Sequence, residues 1–104
     1  MSCNLLAYLS VCLKDKTSEF SECYCFMNPT ILYLPNGFVM NIEKIKKCEI
    51  ELCISNVNDL EIKEMVKLNL CDKNEVTISV NLLTGLVNLN ICLNGISTFK
   101  KRCN

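Results

Sequence analysis

Sulfur is the functional chemistry that this sequence offers in the greatest amount. Nine cysteines occur among 104 residues, and histidine is absent. The stretch CEIELCI contains one pair of cysteines, Cys48 and Cys53, and the stretch CYC contains a second pair, Cys23 and Cys25. A thiolate can bind zinc, form a disulfide or take part in redox exchange. The direction in which each side chain leaves the backbone decides which of these uses is open.

The stretch CEIELCI alternates glutamates with aliphatic residues, which predicts a β-strand. Successive side chains on a strand point to opposite faces. Cys48 therefore falls on the face of Ile50, where a core position is expected, and Cys53 falls on the face of Glu49 and Glu51. The two sulfurs cannot hold one ion together unless the strand bends or bulges.

The same parity places Cys53, Cys71 and Cys92 on polar faces of their predicted strands. Free thiols on an exposed face are reactive, so we expect these three to be joined in disulfides or covered by another layer. Long-range disulfides are also expected from Cys23 or Cys25. Because the number of cysteines is odd, at least one sulfur stays unpaired within the chain.

Zinc is the alternative use of these sulfurs, with Cys23, Cys25, Cys48 and Cys53 as the candidate ligands. Paired ligands of structural zinc sites are usually separated by two to four residues, and the C-x-C spacing is shorter. The redox motif C-x-x-C is absent from the sequence. A cysteine-dependent metal-binding or redox protein is therefore kept as the second hypothesis for function.

The sequence contains no catalytic constellation that we can assign. Without histidine, the common general base and the Ser/His and Cys/His nucleophile pairs are missing. Glu49 and Glu51 have the pattern of solvated charges on a strand face, and the three glycines are too dispersed to form a phosphate-binding loop. The sequence predicts a protein that is not an enzyme and binds no cofactor.

Alternation is clearest in the second half of the chain, from Val76 to Leu82 and from Val87 to Leu93. The residues between them predict a hairpin, and Asn94-Gly95 predicts a second hairpin directly after it. Upstream, LPNGF predicts a third, with Pro35 at the first corner and the Asn and Gly that follow in left-handed conformations. Repeated hairpins of this kind are typical of antiparallel sheets.

These patterns predict an all-β fold: a single small antiparallel β-sandwich or barrel built of hairpins, spanning residues 1–104. The apolar stretch Leu5 to Leu13 also fits a short N-terminal helix, which would give an α+β variant. It has the length of a signal-peptide core but is preceded by no Lys or Arg. Residues 14–22 resemble a linker.

Charge and composition limit the partners and the compartment. Eleven basic residues balance eleven acidic ones, so no field attracts nucleic acid, and no apolar run reaches the roughly 20 residues of a transmembrane helix. Abundant Asn, Lys and Ile with few Ala and Arg indicate an A/T-rich genome, such as that of a virus, an insect or a parasite. The many cysteines favour a secreted protein, with a cytosolic one as the alternative.

Our first hypothesis for function is a non-catalytic binding module whose partner is another protein. It rests on the strong alternation, the hairpins and the missing catalytic residues. An exposed edge strand could also join two copies into a homodimer. The candidate interaction surface consists of polar residues at turns and on one strand face, namely Asn36, Gly37, Asn88, Asn90 and Asn94.

Overall fold

The computed structural model of the chain describes residues 5–97, which form eight β-strands and one 3-10 turn at Pro35–Gly37. The strands are β1 (Leu6–Lys14), β2 (Glu19–Phe26), β3 (Thr30–Tyr33), β4 (Phe38–Ile45), β5 (Glu49–Asn56), β6 (Lys63–Asn69), β7 (Glu75–Leu82) and β8 (Gly85–Ser97). Sheet A has the order β2-β1-β8-β7 and sheet B the order β3-β4-β5-β6. The predicted all-β class is confirmed, and the two sheets form a sandwich without closing into a barrel.

Sheet B is a simple meander, because its four strands follow one another in the chain. Sheet A is assembled from two hairpins, β1 with β2 and β7 with β8, which join where β1 pairs antiparallel with β8. The first and last strands therefore lie side by side at the centre of sheet A. The chain crosses between the sheets twice, after β2 and after β6.

The core lies between the two sheets and is built by strand alternation. The inward side chains of β1 and β8, such as Leu9, Val11, Leu89 and Ile91, are completely buried. Ile50 and its inward neighbours on β5 face them from sheet B. The period-two patterns predicted for these strands are therefore confirmed. Burial of this apolar surface away from water is the main contribution to the stability of the sandwich.

The stretch Leu5 to Leu13 lies almost entirely in β1, so the predicted alternative of a short N-terminal helix is wrong. β1 has neighbours on both sides, β2 and β8. Its side chains at Ala7, Leu9, Val11 and Leu13 alternate into the core. Hydrogen bonds to two neighbouring strands satisfy the backbone of β1, and alternate side chains reach the core. These long-range contacts select a strand over a helix, which the local sequence alone could not do.

The segment 14–22, predicted to resemble a linker, is mostly strand. β1 ends at Lys14 and β2 begins at Glu19, so the connection is a turn of four residues. The carboxylate Oδ1 of Asp15 closes this turn by accepting the backbone N–H groups of Thr17 at 2.8 Å and Ser18 at 2.7 Å. β2 escaped prediction because Glu22 interrupts its otherwise aromatic inward side.

The hairpin predicted at Asn94-Gly95 is wrong, because β8 continues through these residues to Ser97. The strand bulges instead of turning. Tyr8 of β1 pairs with Gly95, whereas Leu9 pairs with Leu93, so Asn94 is the extra residue. A bulge of this kind keeps the long strand paired while increasing its twist. The partner strand β1, which is distant in sequence, thus overrides the local turn signal.

The turn predicted at LPNGF is confirmed in its backbone detail. Pro35 begins the 3-10 turn, and Asn36 and Gly37 take positive φ values of 63° and 80°. The φ of Gly37 is one that residues with a side chain rarely adopt, and a Cβ there would also displace the side-chain amide of Asn58, so glycine is favoured. The buried Asn56 holds the turn through Nδ2, which donates to the carbonyl of Asn36 at 3.0 Å.

Asn56→Ala should destabilise the protein by about 1–3 kcal/mol, since it removes a buried amide and leaves its backbone partners unpaired. Oδ1 of Asn56 also accepts the N–H of Asn58 at 2.8 Å. Urea denaturation followed by circular dichroism measures the change. Asn28→Ala, at an exposed position after β2, is the control and should stay within about 0.5 kcal/mol. Equal stability of the two variants would contradict the role of Asn56.

Asp15 should make stability depend on acid pH. Its hydrogen bonds to the Thr17 and Ser18 backbone lower the pKa of its carboxyl from 3.8 to about 2. A depressed folded pKa contributes stability above pH 4 that is lost as pH falls towards 2. The urea midpoint of Asp15→Asn should therefore lie below that of the wild type at pH 6 and approach it at pH 2. The exposed Asp72→Asn should follow the wild type at both pH values; a constant gap for Asp15→Asn would contradict the linkage.

Candidate interaction surface

The outward face of sheet B carries an apolar row that crosses all four strands. Ile31 of β3 pairs with Asn41 of β4, Asn41 with Cys53 of β5, and Cys53 with Met65 of β6. Residues that are directly opposite on antiparallel strands point to the same side of the sheet. Three of the four side chains in this row are apolar or weakly polar, although they face away from the core.

A cavity of about 580 Å³ lies over this row. One wall is the sheet itself, including Val39 of β4 in the neighbouring row. The other wall is the connection from β5 to β6, which brings Val57, Leu60 and Ile62 over the sheet. The charged side chains on the lining, Glu43 and Lys63, leave most of it to apolar groups.

Several of these apolar side chains are strongly exposed to solvent. Met65 is 64% exposed, Val57 65% and Leu60 90%, and Ile31 is exposed at the opposite edge. Single exposed apolar residues are ordinary, but a contiguous group around a concavity is typical of an interaction site. We call this set, Ile31, Val39, Cys53, Val57, Leu60, Ile62 and Met65, the sheet B groove.

An ion-pair cluster lies at the far end of the same face, in addition to Glu43 and Lys63 on the groove lining. The ammonium of Lys46 lies 2.8 Å from Oε2 of Glu51 and 3.5 Å from Oε1 of Glu49. The hydrogen bond from Lys46 lowers the pKa of Glu51, and the same contact raises the pKa of Lys46. The face is thus mostly apolar at the groove and carries paired charges beyond it.

The outward face of sheet A, which carries the predicted residues Asn88, Asn90 and Asn94, has the opposite character. Asn90 donates to Oγ1 of Thr77 at 2.8 Å and to Glu75 at 2.9 Å. Asn88 accepts from the hydroxyl of Ser79, and Asn94 donates to the hydroxyl of Ser10. These amides are therefore used within the sheet and have less capacity left for a partner.

Asn36 and Gly37, the other predicted surface residues, lie in the 3-10 turn before β4 and not on the outward face of sheet A. Asn36 lines a cavity of about 790 Å³ whose other lining residues include Asn58 and Leu83. Its Nδ2 donates to Oδ2 of Asp15 at 3.3 Å, and the carbonyl of Gly37 accepts the N–H of Val57 at 2.8 Å. The structure thus places the five predicted residues in two separate regions.

The cysteines are distributed over both sheets. Within residues 5–97, six carry free thiols, and no disulfide joins two described cysteines; Cys25 is not free. Cys53 lies on the outward face of β5, as its parity predicted, yet it is only 9% exposed because neighbouring strands and the groove cover it. Cys71 is exposed and Cys92 half-buried. These three thiols are free, so the disulfide alternative does not describe them, whereas the other predicted alternative, a covered thiol, describes Cys53.

Cys48 does not occupy the core position expected for it. β5 begins at Glu49, and Cys48 is exposed in the turn before it. The carbonyl of Cys48 accepts the N–H of Leu70 at 3.0 Å, which fixes the residue as part of the chain reversal. The alternation of CEIELCI is therefore correct for the strand but extends one residue too far.

The four sulfurs proposed as zinc ligands are not brought together. Cys23 and Cys25 lie on β2 of sheet A, whereas Cys53 lies on β5 of sheet B and Cys48 in the turn before that strand. Across the part of the chain that the structure describes, no three Cys, His, Asp or Glu side chains are arranged to hold a metal ion.

The sheet B groove was missed by sequence reasoning, although one signal was available. ILYL, at residues 31–34, is apolar at consecutive positions and so gives both faces of β3 apolar side chains. Cys53 on the polar side of β5 was a second indication. The convergence of Ile31 and Met65 could not be read locally, because it depends on the register of four strands.

Comparison with models of protein families, with characterised proteins and with solved structures gives no match to this chain. Within residues 5–97 there is also no helix with the length and apolar character needed to cross a membrane. The basis for a functional proposal is therefore the geometry of the two outward faces and of the strand edges.

Thiol labelling should follow the exposure of each cysteine. With a maleimide on the native protein, Cys48 and Cys71 should react at least tenfold faster than Cys53, because Cys53 is covered on the face of sheet B. Peptide mapping by mass spectrometry after timed quenching gives the rates. In guanidinium chloride the three rates should become similar. Fast native labelling of Cys53 would show that the groove does not cover it.

Proposed function

We propose that this protein is a non-catalytic binding module that recognises another protein through the sheet B groove. The observation that supports the proposal is the apolar row across the outward face of sheet B, next to strongly exposed apolar side chains such as Leu60 and Met65. In an isolated sandwich this surface gains nothing by being apolar. A protein partner that covers it removes that surface from water.

The shape of the groove favours a protein over a small molecule. One side is the broad surface of a four-stranded sheet, and the apolar group continues beyond the cavity to exposed side chains at Val57 and Leu60. A small ligand would leave most of this surface in water, whereas ligand sites usually enclose their ligand. A protein segment with an apolar ridge would fill the concavity and also cover its rim.

Two side chains are expected to contribute most of the affinity. Met65 is adaptable, because its unbranched thioether adjusts to the shape of a partner. Leu60, on the β5–β6 connection, lies opposite the sheet and can close on the partner from the other side. The charged end of the face, with Glu51 and Lys46, sets orientation more than affinity.

The second hypothesis, a cysteine-dependent metal-binding or redox protein, has weaker support. Its candidate ligands are divided between the two sheets, as described above. The outward face of sheet A does gather three thiols, Cys12, Cys23 and Cys92, on adjacent strands. They lack the arrangement of a metal site among the described residues. A second copy of the chain, bound through a strand edge, is a further protein partner that we propose.

The groove can be tested without knowing the natural partner. A phage-displayed library of random peptides is selected on the immobilised wild-type protein, and the recovered peptides are synthesised with a fluorophore. Met65→Lys should weaken binding of the selected peptides at least tenfold, because it places a charge in the apolar row. Fluorescence polarisation measures the dissociation constants.

Leu83→Lys is the matched control for this experiment. Leu83 is fully exposed on the β7–β8 turn and is not part of the groove lining, so the substitution introduces the same charge at an even more accessible apolar side chain outside the groove. It should leave peptide binding within about twofold of the wild type. Recovery of no peptide, or of peptides that bind Met65→Lys as tightly as the wild type, would reject the groove as the recognition site.

A further inference from the structure

We infer that two copies of this chain associate through β7, in antiparallel register about a two-fold axis, so that the two A sheets become one continuous eight-stranded sheet. This interface is separate from the sheet B groove and does not depend on the proposed function. Its basis is a difference between β7 and the other three strands at the sheet edges, which are β2, β3 and β6.

Edge strands present unpaired backbone groups, and proteins protect them with charges, proline or shortness. β2 and β6 each carry a glutamate at an inward position: Glu22 pairs with Val11, and Glu64 pairs with Ile54. A second sheet edge docking against either strand would have to bury that carboxylate. β3 is protected in another way, since it has only four residues and lies between Pro29 and Pro35.

β7 has none of these protections. It extends over eight residues, Glu75–Leu82, without proline, glycine or a break in its register with β8. Its charge is limited to Glu75 at the beginning of the strand. Its inward positions are all apolar: Val76, Ile78, Val80 and Leu82. A long, regular and nearly uncharged edge is the kind that recruits another strand.

The burial of these inward side chains indicates the same surface. Those of β1 and β8 in the middle of sheet A are completely buried, whereas the inward side chains of β7 are only half-buried. The difference follows from position, because no described strand of the same sheet lies beyond β7. A neighbouring strand would extend the sheet and cover the part of this apolar row that is still exposed.

The unpaired backbone groups of β7 can be identified from its pairing with β8. Asn74 accepts from the N–H of its register partner Leu93 at 2.7 Å, so hydrogen-bonded pairs fall at the even-numbered positions of β7. The N–H and C=O groups that point to the free edge therefore belong to the odd-numbered positions, Glu75, Thr77, Ser79 and Asn81. Their side chains are exposed and polar or small.

A second copy satisfies this edge in a register centred on Ile78. Each outward residue then meets another outward residue, with Thr77 opposite Ser79 and Glu75 opposite Asn81. The apolar row is self-complementary as well, with Ile78 against Ile78 of the second copy and Val76 against Val80. No like charges meet, because the single carboxylate faces an amide. A two-fold axis requires this self-complementarity, and β7 provides it.

Ser79→Pro is the variant that tests the interface. Proline removes an N–H that points to the free edge, so pairing with β8 is kept, and edge positions of this kind tolerate proline. The wild type should elute at twice the chain mass of 11.8 kDa in size-exclusion chromatography with light scattering. Ser79→Pro should raise the dimer dissociation constant at least tenfold while the far-ultraviolet circular dichroism stays unchanged.

Two matched variants isolate the backbone group. Ser79→Ala removes the hydroxyl that bonds Asn88 but keeps the N–H, so it should remain dimeric. Ser21→Pro makes the same substitution on the other edge of sheet A, because the bond from Asp15 N–H to the Ser18 carbonyl places the Ser21 N–H at the free edge. It should also remain dimeric. Loss of the dimer in Ser21→Pro would reject β7 as the interface, and loss in Ser79→Ala would reject the backbone N–H of Ser79 as the group that holds it.

Hydrogen exchange of the wild type gives a reading that does not require any variant to fold. The outward amides of Thr77, Ser79 and Asn81 should exchange more slowly as protein concentration rises, in step with dimer formation. A wild type that stays monomeric, or amides whose protection does not change with concentration, would overturn the proposal. Met65→Lys should leave the dimer intact, so a failed groove and a failed dimer give different results.

Discussion

A pleated strand has two faces, and a sandwich of two sheets can bury only one face of each. The architecture of this protein depends on that constraint. Inward side chains such as Leu9 and Ile54 form the core. The composition of the two outward faces is not fixed by that core and differs between the sheets. Sheet A covers its outward face with amides and hydroxyls that bond one another, as Asn90 does with Thr77. Sheet B keeps an apolar outward face.

This contrast gives the sheet B groove its significance. The same chain that places asparagine and serine on one outward face places Ile31, Val39 and Met65 on the other. The thiol of Cys53 fits the second face because a thiol behaves there as a small apolar group. A protein that folds as a sandwich has no need of an apolar outer surface for its own stability. We propose that a partner covering the groove accounts for the difference between the faces.

The sequence predicted those features that depend on neighbouring residues. Alternation located β7 and β8, and LPNGF predicted the left-handed backbone of Asn36 and Gly37, because both depend on the conformational preferences of a few adjacent residues. The failures occurred where distant strands decide the outcome. Asn94-Gly95 forms a bulge because β1 continues to pair there. β2 forms despite Glu22 because its backbone hydrogen-bonds to β1 along its whole length.

The candidate site illustrates the same limit. Parity placed Cys53 on the outward face, but its neighbours Asn41 and Met65 follow from the registers of β4, β5 and β6. Such registers are long-range properties that a single sequence does not state. The polar residues predicted as a surface were chosen for their chemistry alone. The structure shows that three of them form hydrogen bonds within sheet A, so the apolar face of sheet B is the stronger candidate surface.

The two proposed interfaces are geometrically compatible. The axis that pairs β7 with its copy is perpendicular to sheet A, so both copies keep sheet B on the same side of the joined sheet. β6 is the strand of sheet B closest to β7 and β8, and its charges at Lys63, Glu64 and Lys67 oppose pairing there. We therefore expect association to be confined to sheet A and to leave both grooves open. Two grooves on one side would let the dimer bind a partner with two matching segments more tightly than either groove alone.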